Sequence, residues 1–294
     1  MSISASLVKE LREATGAGMM DCKKALQEND GDISAATDWL RKKGIAKAEK
    51  KAGRVASEGL VMAVAEGNKG ALVEVNAETD FVARNDQFVA FAQSLANLVK
   101  ETGITNIEEL SKAELDGTTV ADKLTTLIAT IGENMSLRRA EVLSVDSGVV
   151  SSYVHGNGKI GVLVALESDN ADDKLQETAR NIAMHVAAAN PQFLDRKSVD
   201  STALDREREI FAEQARQSGK PDNIVEKIVE GRVNKFYEEV CLVDQAFIMD
   251  TDQKVGQVVK SAGATIKGYA RFQLGEGIEK QADDFAAEVA RMTG

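Results

Sequence analysis

The stretch AVAEGNKGALVEVNAETDF (63–81) can be laid over SYVHGNGKIGVLVALESDN (152–170) with one insertion. Each copy reads as a strand, a Gly-Asn turn, a second apolar strand and an acidic loop, and each runs on into a helix. Phe88, Phe91, Leu95 and Leu98 form the apolar stripe of the first helix, and Ala179, Ile182, Val186 and Ala189 that of the second. A duplicated hairpin and helix restrict the middle of the chain to two related lobes, each a small antiparallel sheet with helices on one face. The expected class is α+β. Between the copies, LTTLIATIGENMSLRRAEVLSV (124–145) reads as a helix that stops at Gly132 and passes into a strand.

The flanks read differently. Leu7, Val8, Leu11 and Ala14 recur at helical spacing until Thr15 and Gly16, and Met19, Cys22, Ala25 and Leu26 begin a second series. Asp32 can cap a third helix whose Ile33, Ala36 and Leu40 face inward, so 1–54 is expected to be a small three-helix unit. It is net basic, and RKKGIAKAEKKAGR (41–54) is open to two readings, a solvated helix or linker and a docking segment. From Leu204 to Val240 the chain is highly charged and broken by Gly-Lys-Pro at 219–221. Val225, Val229, Val233, Phe236 and Val240 make one stripe suited to a partner helix, which predicts a protruding antiparallel hairpin. KGYARFQLG (267–275) alternates Ala270, Phe272 and Leu274 against Tyr269, Arg271 and Gln273, a half-buried strand returning to the second lobe. Ala282, Phe285, Ala286, Val289 and Met292 mark a last helix. The expected divisions are 1–54, 55–147, 148–189 with 240–275, the hairpin at 190–239, and a C-terminal module at 276–294.

Composition and motifs narrow the function. With 36 Lys and Arg against 47 Asp and Glu, the net charge of −11 disfavours attraction to nucleic acid or an anionic membrane. No apolar run approaches the ~20 residues of a bilayer span, and the N-terminus has no basic segment followed by an apolar core, so a soluble chain without a secretory signal is expected. Cys22 and Cys241, alone and far apart, suit a reducing cytosol. The two histidines, His155 and His185, come with no C-x-x-C, H-E-x-x-H, G-x-S-x-G or phosphate-loop motif. No catalytic or metal-binding set and no cofactor is expected. GNGKIG (156–161) is a hairpin turn. His185, beside Ile182 and Val186, reads as structural, whereas His155 flanks the turn as an ordinary surface or a contact residue. Met19 and Met20 cannot both face a core, so one of them is contact surface or chance. ETDFVARND (78–86) leaves two readings open: Phe81 is an exposed apolar knob beside Asp80, or Asp80 or Asn85 caps the next helix and Phe81 packs beneath it.

LREATGAGMMDCKKAL (11–26), ETDFVARND (78–86), IGENMSLRR (131–139), HGNGKIGVLVA (155–165), IAMHVAA (182–188) and RFQLGEGIEK (271–280) together resemble the bacterial elongation factor Ts family, in the family's order and over nearly the whole chain. The resemblance implies a cytoplasmic guanine nucleotide exchange factor for the GDP-bound GTPase elongation factor Tu. It also implies a ubiquitin-associated-like N-terminal domain, two related core subdomains and a coiled-coil dimerisation hairpin. By the same resemblance, Thr79, Asp80, Phe81 and Val82 push into the GTPase domain and dislodge its Mg²⁺. Ile131, Gly132 and His155 add contacts, Met19, Met20 and Lys23 form the N-terminal contact, and the C-terminal helix docks on the same partner. Two alternatives stay open on the residues themselves: a binding or chaperone scaffold of the same fold, and a hydrolase or transferase using His155 with a nearby carboxylate.

Overall fold

The computed structural model of the chain describes residues 3–219 and 221–279. The helix expected over 276–294 lies outside the described residues from position 280 onward.

In chain order the structure opens with α1 (Ala5–Thr15), α2 (Met19–Glu28) and α3 (Ile33–Glu49). Ser4 caps α1 by accepting from Leu7 N–H, and Asp32 caps α3 by accepting from Ala35 N–H, so each helix begins where a free amide finds a side-chain oxygen. Val8, Leu11, Cys22, Ala25, Leu26 and Ala36 close a small core, with Trp39 and Leu40 packed against it. Of the adjacent Met19 and Met20, which cannot both face that core, both are exposed. Both occupy the first turn of α2, where side chains tilt back past the helix end and away from the core. The basic run is also tied down. Lys43 and Lys47 reach Asp21 at 2.6 and 2.9 Å, Lys51 donates to the Gly132 carbonyl, and Arg54 faces Glu78 at 3.4 Å. Hydrogen bonds from those two lysines hold the Asp21 carboxyl below its usual range.

Next come β1 (Glu58–Glu66), β2 (Lys69–Ala77), α4 (Asp86–Thr102), α5 (Ile107–Lys112), the two-residue strands β3 (Glu114–Leu115) and β4 (Thr118–Thr119), α6 (Val120–Ile131) and β5 (Met135–Ser144). Strands β1, β2 and β5 form one sheet in that order. Phe88, Phe91 and Leu95 are buried on α4 as expected, but Val99 rather than Leu98 completes the stripe. The second copy supplies β6 (Gly148–His155), β7 (Ile160–Glu167) and α7 (Asp173–Ala189), followed by the hairpin helices α8 (Ser201–Gln217) and α9 (Asp222–Val240). A short ladder of β8 (Ala246–Phe247) and β9 (Asp250–Lys254), then α10 (Val255–Ser261) and β10 (Thr265–Gln273), complete the described fold. The second sheet runs β10-β7-β6, with β6 and β7 antiparallel from Gly148 opposite Glu167 to His155 opposite Ile160.

By contact, residues 3–62, 73–140 and 273–279 form one compact unit, and 63–72 with 141–272 form another. In the second unit Val149, Val162, Val164 and Leu166 meet Ile182 and Val186 of α7, with Leu242, Phe247, Val255, Val259 and Ile266 closing the core. On the outer, polar face expected for β10, Tyr269 and Arg271 are half-buried and Gln273 is exposed. Tyr269 donates its hydroxyl to the Pro191 carbonyl at 2.8 Å, and Arg271 reaches the Ala187 carbonyl at 3.4 Å. The Ala187 carbonyl, in the last turn of α7, lacks a helical partner and recruits Arg271, while Tyr269 serves the chain just past the helix. Burial pushes the Tyr269 hydroxyl up to about 12. On the hairpin, Val225, Val233 and Val240 are buried as expected, and its foot packs Val199, Val240 and Cys241 with Phe193, Leu204 and Phe236. Among the described residues no helix is long and apolar enough to cross a membrane.

Candidate interaction site

The loop between β2 and α4 decides between the two readings of ETDFVARND. Asn85 Oδ1 accepts from the N–H groups of Gln87 and Phe88 at 3.0 and 3.3 Å, so Asn85 is the cap of α4. Phe81 does not pack beneath the helix; it is 77% exposed. Asp80 is exposed too, 3.6 Å from Arg84. Val82 alone of the four turns into the core, at 4% exposure, and anchors the short turn that follows. An apolar ring left in water forgoes roughly 1.5–3 kcal/mol of burial, which a partner's surface can supply.

The loop is braced from one side. Thr79 donates its backbone N–H to Glu133 Oε2 at 3.0 Å and its hydroxyl to Glu133 Oε1 at 2.7 Å. Asn134 N–H donates to Glu78 Oε1 at 2.5 Å, and Asn134 Nδ2 to the Arg54 carbonyl at 2.7 Å. These bonds bring the 78–82 loop beside Ile131 and Gly132 at the end of α6. Gly132 ends that helix at φ 91°, donating its N–H to the Ile128 carbonyl at 3.0 Å; a side chain there would be strained. Glu133 and Asn134 stand in the IGENMSLRR motif but carry no sign in the sequence of what they bind.

The other expected site residues lie elsewhere. Met19 and Lys23, four apart on α2, share an exposed face, with Met20 75% exposed beside them. His155 ends β6 at the surface, with Nδ1 3.0 Å from the Tyr153 hydroxyl. His185 is buried and structural, as its neighbours implied. Ile248 N–H donates to its Nδ1 at 3.3 Å, so Nε2–H donates to Gln245 Oε1 at 2.8 Å.

Glu74 is a buried charge that sequence reasoning missed. Its carboxylate accepts from Arg138 at 2.9 Å, Arg139 at 2.6 Å, Asn76 Nδ2 at 3.0 Å and Gly275 N–H at 2.9 Å. Burial pushes this carboxyl up, but the Gly275 N–H, Arg138, Asn76 and Arg139 outweigh it and hold it below its ordinary 4.5. The cluster fastens the segment after β10: Arg139 also donates to the Gln273 carbonyl, and Arg138 to that of Glu276.

Fold and loop define an α+β protein whose most exposed large apolar side chains among the described residues, Phe81 and Met20, stand at or just before helix starts. The family model described as "Elongation factor TS" matches residues 78–276. The chain is 61% identical to the elongation factor Ts of Paramagnetospirillum magneticum, over 99% of this chain and 97% of that protein. It is 58% identical to that of Magnetococcus marinus, over 99% of both, and 57% identical to that of Gluconobacter oxydans, over 99% of this chain and 98% of the relative. The chain belongs to the elongation factor Ts family, a family of translation elongation factors of protein biosynthesis.

Proposed function

We propose that this protein is a cytoplasmic guanine nucleotide exchange factor that binds GDP-bound elongation factor Tu and accelerates GDP release by wedging Phe81 into the GTPase domain. The observation that carries this reading is the exposure of Phe81 on a loop tied at both ends. Mg²⁺ demands near-octahedral oxygen ligation, so a small displacement of the partner elements that support it weakens metal and nucleotide together. Within the reading, Asp80 perturbs polar contacts beside the metal while Val82 roots the loop. Ile131, Gly132 and His155 hold the displaced state, and Met19, Met20 and Lys23 dock the N-terminal unit. No group of this chain makes or breaks a covalent bond. Linkage makes the effect reciprocal: whatever factor this chain weakens GDP by, GDP weakens this chain by the same factor, so a rebinding nucleotide expels it.

The test is release of a fluorescent GDP analogue from elongation factor Tu in excess Mg²⁺. The parent accelerates release, and Phe81→Ala loses roughly 30- to 1000-fold in apparent affinity or rate, the effect of truncating a central aromatic anchor. A folded Phe81→Ala protein as active as its parent would falsify the wedge. A folded parent that leaves release unchanged would move the protein to the scaffold reading.

A further inference from the structure

Glu133 follows the helix-stopping Gly132 and has no role in the reading above. Its two carboxylate oxygens are divided between two donors of one residue, the amide and the hydroxyl of Thr79, at 3.0 and 2.7 Å. The next residue returns the contact through Asn134 N–H to Glu78, and Arg54 closes on Glu78 at 3.4 Å. With Thr79 tied on one side and Asn85 fixed in the cap of α4 on the other, Phe81 sits on a short span between two fastened ends. The brace joins segments 54 positions apart.

The Thr79 donors are part-buried and not sealed from solvent, so water can satisfy them in place of Glu133. Ordering a loop costs about 1–2 kcal/mol per residue in backbone entropy, and a loop that has met this cost beforehand does not meet it in the insertion step that follows docking. We infer that Glu133 is a positioning residue for exchange, holding the Phe81 loop in its inserting conformation before the partner arrives. The inference rests on the reading of Phe81 as the wedge.

Full-length Glu133→Ala and Glu133→Gln are compared with the parent in two measurements. One is amide hydrogen exchange across 79–84 in the free protein; the other is GDP release from elongation factor Tu as a function of exchange-factor concentration. Glu133→Ala removes both acceptors, so exchange at Thr79 quickens by about 10-fold, the factor expected for losing one to two net hydrogen bonds. The maximal release rate falls roughly 5- to 10-fold, while the half-saturating concentration stays within about 2-fold. Contacts away from the loop still dock, and only the fraction with an ordered loop goes on to insert. Glu133→Gln keeps a carbonyl oxygen for the Thr79 amide and an NH₂ that can donate to its hydroxyl, so it retains most of the rate. A variant that is merely less folded raises the half-saturating concentration and leaves the maximal rate alone; that pattern overturns the inference. So does a Glu133→Ala protein with the parent's maximal rate, or one slowed with no change in loop exchange. If the unsubstituted parent does not accelerate release, the exchange reading falls and takes the positioning role with it. That failure is seen without any substitution, so the two are told apart.

Discussion

Neighbours in the loop after β2 have opposite fates: Phe81 stands in solvent and Val82 is buried. The loop was recognisable in the sequence as a surface connection next to a helix start. Which apolar side chain of the pair turned inward was not, because that depends on the space beneath the first turn of α4. His185 was readable as structural from Ile182 and Val186, but its partner Gln245 was not, since 60 positions separate them. Burial lowers the His185 pKa from 6.5, and the Gln245 hydrogen bond only partly opposes this. The unfolded chain therefore binds a proton more readily than the folded one. The resulting stability is complete above the unfolded pKa of about 6.5 and is lost as pH falls from there through the lowered folded value. Urea midpoints at about pH 7.5 and about pH 5.5 should show the parent losing stability on acidification, with His185→Gln removing roughly 1 kcal/mol of that difference. Equal losses in the two proteins would assign the acid sensitivity to other groups.

The two hairpins are the elements most fully legible in advance, since strand alternation and the Gly-Asn turns are local signals. The structure adds a feature that the two hairpins share. Gly59 has φ 117° and a Cβ there would lie 2.2 Å from the Val75 carbonyl oxygen; Gly148 has φ 127° and a Cβ would lie 2.1 Å from that of Leu166. Each hairpin therefore opens on a glycine pressed against the backbone of its second strand. Gly59→Ala and Gly148→Ala should each cost about 3 kcal/mol or more, from strain and collision together. Gly103→Ala, with φ 75° and open space around it, should cost only about 1 kcal/mol. Comparable denaturation midpoints for the three variants would show that the clash relaxes. The strands β3, β4, β8 and β9 and the helices α5 and α10 were not foreseen. They are too short for a periodic pattern, and neighbouring elements stabilise them instead.

For the molecule as a whole, we propose that the α8–α9 hairpin pairs two copies of the chain. Ile210 on α8 and Ile224 on α9 are 41% and 42% exposed, apolar side chains that the hairpin's own packing leaves open. In sedimentation, Ile210→Lys with Ile224→Lys should shift the parent's dimer to monomer, and a parent that sediments as a monomer at every concentration removes the proposal. The N-terminal unit shows where reading along the chain reaches its limit. Its three helices and most core positions follow from residues a few places apart, yet nothing local in the basic run at 41–54, open to reading as a solvated helix or linker or as a docking segment, names Asp21, Gly132 and Glu78 as its partners. Helix period, caps, turns and the duplicated hairpin depend on local sterics and on which face is apolar, and these are written in the order of residues. Charge partners are not. With 47 carboxylates and 36 basic side chains in the chain, no local pattern says which will meet. Glu133 found Thr79, and Glu74 found Arg138, Arg139 and an amide 201 positions away, only once strands and helix ends had become neighbours in space. Coulombic and hydrogen-bond energies fall off with distance through space and take no account of distance along the chain.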